Sequence, residues 1–146
     1  MQTIFTAKAM MAWSAAHLRE GITIGLVPTM GALHAGHRAL IRAARLSCDA
    51  VVVSLFVNPA QFGPKEDFSR YPRKLRADTL LCAKEGVDVL FAAPVGEIYP
   101  DGFQTTVSIP KLACRWEGEQ RPGHFQGVAT VVTKLLTLVR PTAAFF

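Results

Sequence analysis

The chain has 146 residues, of which 50% are hydrophobic and 18% charged, and its formal net charge at pH 7 is +5. This length favours a single domain, and it is sufficient to bury a core without a disulfide or a metal staple. The apolar fraction is too high and the charge too low for a disordered chain. No apolar run approaches the roughly 18 residues that span a bilayer, so we expect no membrane partner.

Cysteine usage and charge distribution narrow the class further. The cysteines are odd in number and far apart: Cys48, Cys82 and Cys114. A disulfide framework is therefore not expected, and a cytoplasmic location is the simplest interpretation. The basic residues are dispersed, and the helical face shared by Arg38, Arg42 and Arg45 is best explained as a solvated face. We expect no nucleic-acid partner, and the positive charge favours a small anionic ligand.

The first half of the chain alternates between helical and extended patterns. Thr6 can cap a first helix with apolar positions at Met11, Ala15 and Leu18, and Gly21 would end it. A short apolar strand over 22–27 is then closed by Pro28. A second helix is predicted over 36–47. The β-branched run 50–57 indicates a strand that is buried on both faces.

The alternation continues to the last residue. A helix is predicted over 74–84 with Gly86 as its end, followed by a strand over 87–92 that Pro94 closes. Residues 103–109 alternate with period two, which predicts a further extended segment. Helical spacing of apolar residues predicts one more helix through Val128, Val131, Val132, Leu135 and Val139. Residues 143–146 begin another strand, in which the sequence stops.

Strands that alternate with helices predict an α/β fold, built as a doubly wound and mostly parallel sheet. Ligands bind such sheets beyond the carboxyl ends of the strands. The loops after Val27, Val57 and Ala92 are therefore the places where we expect functional residues.

The first of these loops carries two histidines, His34 and His37, at the start of a predicted helix. Their spacing lets both imidazoles project on the same side, and Gly36 lets a ligand approach the backbone. Free N–H groups at a helix start attract phosphate, and imidazole donors can stabilise charge that develops on it. A metal pair is a weaker interpretation because no third ligand lies nearby. Histidines that only cap and pack an ordinary loop remain an alternative.

Four blocks of sequence resemble one family in the same order. They are GLVPTMGALHAGH (25–37), SLFVNPAQFGPKEDFSRYPR (54–73), EIYP (97–100) and RPGHFQGVATVVTKLL (121–136). The first resembles the HxGH signature of nucleotidyltransferase-like enzymes, which bind ATP on a Rossmann-like fold. Together, the blocks resemble the pantothenate synthetase (pantoate:β-alanine ligase) family over essentially the whole chain.

The resemblance implies a reaction and an ATP site. Pantoate would attack the α-phosphate of ATP, which carries Mg²⁺, to form pantoyl adenylate and pyrophosphate, and the amine of β-alanine would then displace AMP. His34 and His37 are the implied catalytic residues, with His37 as the proton donor. The implied ATP-binding residues are Met30, Gly31, Ala32, Leu33, His34, Ala35, Gly36 and His37.

The resemblance also implies where the other substrates and the metal lie. Gln61 would bind pantoate beside the β-alanine position, because an amide offers both donors and an acceptor. Asn58 could share that role or merely end a strand in a turn. Arg121 and His124 suit a carboxylate or phosphate, unless they only form a polar loop. Asp78 would lie near the magnesium phosphates, although a single helical aspartate can equally be a solvated surface residue.

Family members continue after a segment like 140–146 with a Gly-Glu-Lys-Asp block, a Ser-Arg loop and a small C-terminal domain. We therefore expect residues 1–146 to be an N-terminal ATP-binding, Rossmann-like domain, truncated at the C-terminus and a weak catalyst or none by itself. The alternatives are another HxGH nucleotidyltransferase and a non-catalytic nucleotide-binding fragment. The resemblance also implies a homodimer.

Overall fold

The computed structural model describes residues 1–63, 66 and 68–146. Its strands form one sheet in the order β1-β4-β3-β2-β5, and every pairing is parallel. The strands are β1 (Gln2–Ile4), β2 (Ile24–Thr29), β3 (Ala50–Leu55), β4 (Val89–Phe91) and β5 (Ala143–Ala144). The predicted α/β fold with a parallel sheet is thus confirmed.

Helices cover both faces of this sheet. The longer helices are α1 (Ala7–Arg19), α2 (Ala35–Ser47), α3 (Leu75–Lys84) and α7 (His124–Val139). Short helices α4 (Val95–Ile98), α5 (Pro110–Ala113) and α6 (Glu117–Gln120) lie between them, with 3₁₀ turns at Pro59–Gln61 and Phe68–Arg70. Within the described ranges, no helix is both long enough and apolar enough to cross a membrane.

Two apolar clusters show that the sheet is doubly wound. One contains Met10 of α1 and Leu135 of α7, and the other contains Ile41 of α2 and Cys82 of α3. Consecutive valines of β3 alternate between the clusters, because side chains of a strand point to opposite faces in turn. The prediction that this strand is buried on both faces is therefore confirmed.

Several predicted details were wrong. The buried residues of α1 are Met10 and Ser14, whereas Met11 is exposed. Apolar residues occur on several sides of this helix, so the spacing alone could not select the face that packs. Nothing predicted β1, because three residues with only Ile4 buried carry no periodic signal.

The period-two segment 103–109 contains no strand, contrary to the prediction. Only Phe103 and Val107 are half-buried, and the other side chains are exposed. The segment runs beside α7, where the Val107 N–H donates to Oγ1 of Thr130 at 3.0 Å. The segment thus contacts a helix and does not pair with a described strand of the sheet.

Strand β2 also runs two residues further than predicted, through Pro28 to Thr29. Thr142 and Phe145 donate to the carbonyls of Ile24 and Leu26, so alternate residues of β2 face β5. Pro28 also faces the β5 side, because it lies two residues after Leu26, but β5 has only two residues and ends before it reaches Pro28. Its missing N–H therefore costs the sheet no hydrogen bond.

Helix α7 touches the 3₁₀ turn at Pro59–Gln61 backbone to backbone. A Cβ atom at Gly127 would lie 2.2 Å from the carbonyl oxygen of Ala60. Only glycine allows this approach, which brings the turn that follows β3 against the first half of α7.

We expect Gly127→Ala to lower the free energy of unfolding by about 1–3 kcal/mol, because the added methyl group must displace backbone. Gly96→Ala in α4 is the matched control, since its Cβ would meet nothing within 4 Å. Urea denaturation measures both variants. Equal stability of the two would contradict the close approach.

Candidate functional site

The histidine pair forms a reciprocal cap at the start of α2. Nδ1 of His34 accepts the N–H of Gly36 at 3.1 Å, and Nδ1 of His37 accepts the N–H of His34 at 3.3 Å. The ring centroids lie 4.0 Å apart. A neutral imidazole whose Nδ1 accepts carries its proton on Nε2, so each ring retains one Nε2–H donor.

Burial lowers the pKa of His37 below its ordinary value, and the neighbouring His34 lowers it further. Asp78 acts in the opposite direction as the smallest of the three causes. The His37 ring is therefore neutral at pH 7, which is the state that keeps Nδ1 as an acceptor.

Asp78 on α3 is buried, with 4% of its surface exposed, and is not a solvated surface residue. Its Oδ2 accepts the N–H of Ala32 and its Oδ1 the N–H of Leu33, each at 2.9 Å. No cluster of three or more His, Cys, Asp or Glu among the described residues could hold a metal. The magnesium role of Asp78 stays a prediction, and its visible contacts hold the loop.

These contacts leave few backbone donors in the loop. The N–H groups of Ala32 and Leu33 donate to Asp78, and those of His34, Gly36 and His37 belong to the cap. Helix geometry leaves the N–H group of Ala35 without an intrahelical acceptor. The imidazole Nε2–H groups and this N–H are therefore donors that an anion can use.

Asn58 is fully buried and its side chain is saturated with hydrogen bonds. Its Oδ1 accepts from the Ala60 N–H at 3.2 Å and from the Tyr99 hydroxyl at 2.8 Å. Its Nδ2 donates to the Gly127 carbonyl at 3.0 Å and to Oε1 of Gln61 at 3.1 Å. Asn58 thus acts on Gln61, and a direct ligand contact of Asn58 stays a prediction.

Gln61 joins the second loop to the first. Because Asn58 occupies its Oε1, the Nε2 group points the other way and contacts Sδ of Met30 at 2.8 Å. A thioether is a weak acceptor. A ligand oxygen can therefore replace it as the better partner of the amide.

Arg121, which follows α6, and His124, the first residue of α7, contact the same turn. Nδ1 of His124 lies 2.8 Å from the Gln61 carbonyl, and a guanidinium nitrogen of Arg121 lies 3.3 Å from Nε2 of His124. Arg121 also pairs with Glu66 and, at 3.3 Å, with Glu117. Its hydrogen bond holds the pKa of Glu66 below the usual range. An anionic ligand must compete with Glu66 for Arg121.

Two cavities open on these residues. The polar lining of the larger, about 590 Å³ in volume, includes Gln61, Glu66, Arg121 and His124. The smaller, about 290 Å³, is lined by Met30 and Asp78 among others. The larger one lies within the usual range for small-molecule sites. Neither lining includes His34 or His37, so the pair stands outside both cavities.

Tyr99 and Glu66 help to build the site, but neither was given a role from sequence. Tyr99 belongs to the EIYP block, so a signal existed. Glu66 meets Arg121 across 55 positions, which no spacing rule reports. Residues 64, 65 and 67 of the block 54–73 lie outside the described residues.

The basic face of α2 is paired with acidic residues. Arg38 and Arg42 each contact Glu85 at 2.6 Å, and Arg45 contacts Asp88 at 2.5 Å. The positive charge on this face is therefore largely compensated, as expected for a solvated face.

A parallel sheet with helices on both faces, and a histidine cap at its carboxyl edge, define a Rossmann-like α/β domain with an HxGH loop. The chain belongs to the pantoate-beta-alanine ligase family, whose model matches residues 2–146.

Individual relatives agree with this family. The pantothenate synthetase of Heliobacterium modesticaldum is 54% identical over 146 residues, which is 100% of this chain and 52% of the relative. The crystal structure of pantothenate synthetase from Thermus thermophilus has a TM-score of 0.91 and 52% identity, covering 99% of this chain and 51% of that one.

A third comparison has bound ligands. The Francisella tularensis pantoate-beta-alanine ligase, complexed with beta-gamma ATP and beta-alanine, has a TM-score of 0.92 at 41% identity, covering 99% of this chain and 55% of that one. The chain thus spans about half the length of the relatives it matches.

We expect His37 to titrate below the ordinary histidine pKa of about 6.5 and to hold its proton on Nε2 when neutral. The unfolded chain binds this proton more tightly. Stability from His37 is therefore complete above pH 6.5 and decreases as the pH falls toward the folded pKa. Long-range ¹H–¹⁵N NMR measures both the pKa and the tautomer. A pKa above 6.5 would contradict the burial of the ring.

Proposed function

We propose that this protein acts in the ATP-dependent condensation of pantoate with β-alanine, through a pantoyl adenylate. The observation that carries the proposal is the His34–His37 cap, which leaves two Nε2–H donors on the same loop as Met30, the residue that Gln61 contacts. Membership of the ligase family supports it. So does the relative that was crystallised with beta-gamma ATP and beta-alanine.

The reaction has two steps. A carboxylate oxygen of pantoate attacks the α-phosphorus of ATP, the bond to the bridging oxygen breaks, and pyrophosphate leaves. The amine nitrogen of β-alanine then attacks the acyl carbon, AMP leaves, and the nitrogen loses a proton. Magnesium enters with the ATP phosphates as part of this substrate.

We assign the first step to the loop 30–37. The Nε2–H groups of His34 and His37 would donate to phosphate oxygens, on which negative charge increases as pyrophosphate leaves. The implied proton donor, His37, is neutral and carries its one proton on Nε2, so its proposed contribution is a hydrogen bond to the phosphate without transfer of that proton. Donors that are already fixed by the helix cap need no reorganisation when the charge develops.

We assign pantoate and β-alanine to the larger cavity. The Nε2 group of Gln61 would donate to an oxygen of pantoate in place of the Met30 sulfur. Arg121 would pair with a carboxylate, and His124 would hold the Gln61 backbone. Asn58 would fix which end of the Gln61 amide faces the substrate.

A cytoplasmic location and a homodimer are part of the proposal. The free cysteines Cys48, Cys82 and Cys114 suit a reducing compartment. Ile109, Leu112 and Trp116 are exposed large apolar residues within one short segment, and they suit contact with a second copy.

Pantoate-dependent exchange of pyrophosphate into ATP tests the function. We expect exchange that requires pantoate. If the chain alone gives none, the assay is repeated after adding the remaining part of the Heliobacterium modesticaldum relative, to which this chain does not align. His37→Ala should lower this exchange about 10²–10³-fold, because one donor to the developing charge is lost. His17→Ala in α1 is the matched control.

Other outcomes would identify the alternatives. Exchange that depends on a phosphate ester instead of pantoate would indicate another HxGH nucleotidyltransferase. ATP binding without exchange, even with the added part, would indicate a non-catalytic nucleotide-binding domain. Equal loss of exchange and of pantoate affinity in His37→Ala would indicate a structural histidine.

We expect Glu66→Gln to tighten pantoate binding by about fivefold, the size of one partly exposed ion pair, because Arg121 loses its competing partner. Calorimetric titration at low salt measures this. Glu117→Gln is the control, since Glu117 touches Arg121 only once and should give a smaller change. Weaker binding in Glu66→Gln would mean that Glu66 holds Arg121 in place for the ligand.

A further inference from the structure

The turn that precedes the histidine cap has an unusual backbone. Gly31 has φ +87° and Ala32 has φ +53°, so two consecutive residues lie in the left-handed region. Ala32 has a Cβ and is strained there. Something outside the turn must therefore hold it in this conformation.

Two side chains accept N–H groups of the turn: Oγ1 of Thr29 accepts that of Gly31 at 3.2 Å from the end of β2, and the Asp78 carboxylate contacts the turn from a distant element. It reaches from α3 to the N–H groups of Ala32 and Leu33, 46 and 45 positions away. The fit is tight, because a Cβ at Gly31 would lie 3.1 Å from Oδ2 of Asp78. On the same helix Cys82 is fully buried in the core, so the carboxylate is carried by a firmly packed element.

We propose that Asp78 is a positioning residue for the histidine pair: its carboxylate fixes the 31–33 turn in the conformation from which His34 caps α2. The inference rests on the proposed function of that pair. His34 follows Leu33 directly, with an extended backbone at φ −132° and ψ −175°. The position of the Leu33 N–H therefore sets the direction in which the His34 ring leaves the chain.

The residue type follows from the geometry. Two N–H groups need two acceptors, and a carboxylate supplies one oxygen to each without a donor of its own. An asparagine would place its NH₂ group against one of the two N–H groups. Because both N–H groups point at Asp78, they are withheld from an anionic ligand, and the imidazoles take over as donors.

Asp78→Asn tests this proposal, with Asp88→Asn as the matched control. Asp88 also accepts a backbone N–H, that of Val51 at 2.7 Å, but it lies where β3 and β4 begin, at the opposite end of the sheet. Both variants replace a carboxylate that holds backbone by an amide. Only one of them lies under the histidine loop.

The first measurement needs no ligand. Imidazole ¹⁵N shifts of His34 and His37 report whether Nδ1 accepts a hydrogen bond and which nitrogen carries the proton. We expect Asp78→Asn to shift both rings toward the mixed tautomers of free histidine, and Asp88→Asn to leave them unchanged. Unchanged shifts in Asp78→Asn would overturn the proposal, whatever the protein binds.

The second measurement separates positioning from general stability. We expect Asp78→Asn to weaken MgATP binding about tenfold to hundredfold, with pantoate affinity and the urea midpoint close to those of Asp88→Asn. Parallel loss of both affinities and of the midpoint would indicate a merely structural residue and overturn the proposal. Failure of the unsubstituted chain to bind MgATP would count against the proposed function, while the NMR result still decides the role of Asp78.

Asp78→Glu is the second variant, which also serves if Asp78→Asn does not fold. It keeps the charge and both oxygens but moves them by one methylene. We expect weakened MgATP binding and shifted histidine signals here too. Behaviour like that of the unsubstituted chain would show that charge alone matters and would overturn the positioning role.

Discussion

Backbone N–H groups at the start of α2 need acceptors, and the imidazole Nδ1 atoms of His34 and His37 supply them for Gly36 and His34. Side chains at a helix start usually perform this task with oxygen atoms. An imidazole can do this with Nδ1 as the acceptor toward the helix, while its Nε2–H remains a donor that points away from the helix. The stability of α2 and the chemistry proposed for the loop therefore depend on the same two rings.

Other polar residues of the site already have hydrogen-bond partners within the protein. Each carboxylate oxygen of Asp78 accepts an N–H of the loop it holds, and the Asn58 amide is saturated by two backbone groups, Tyr99 and Gln61. The atoms that remain for a ligand are those that the network does not use, namely Nε2 of His34, of His37 and of Gln61. Buried polar groups must be paired, so the network that pairs them also decides which atoms stay available.

Much of the fold was predictable because periodicity reports burial. The continuous valines of β3, the pattern of α7 and the histidine spacing all reflect local geometry. The contacts of Asp78, Asn58 and Glu66 span between 41 and 69 positions, except for those within their own turns, and no local pattern encodes them. Strand β1 was missed for a related reason: three residues gain their structure from pairing with β4.

The backbone contact between Gly127 and the turn at Ala60 has a mechanical consequence. Side chains between two elements can change rotamer and absorb a displacement, whereas touching backbones cannot. The first turn of α7, which begins at His124, is thereby coupled rigidly to the turn that carries Gln61. A ligand that pulls on one of these two walls of the larger cavity moves the other with it, so the separation of the two walls stays fixed.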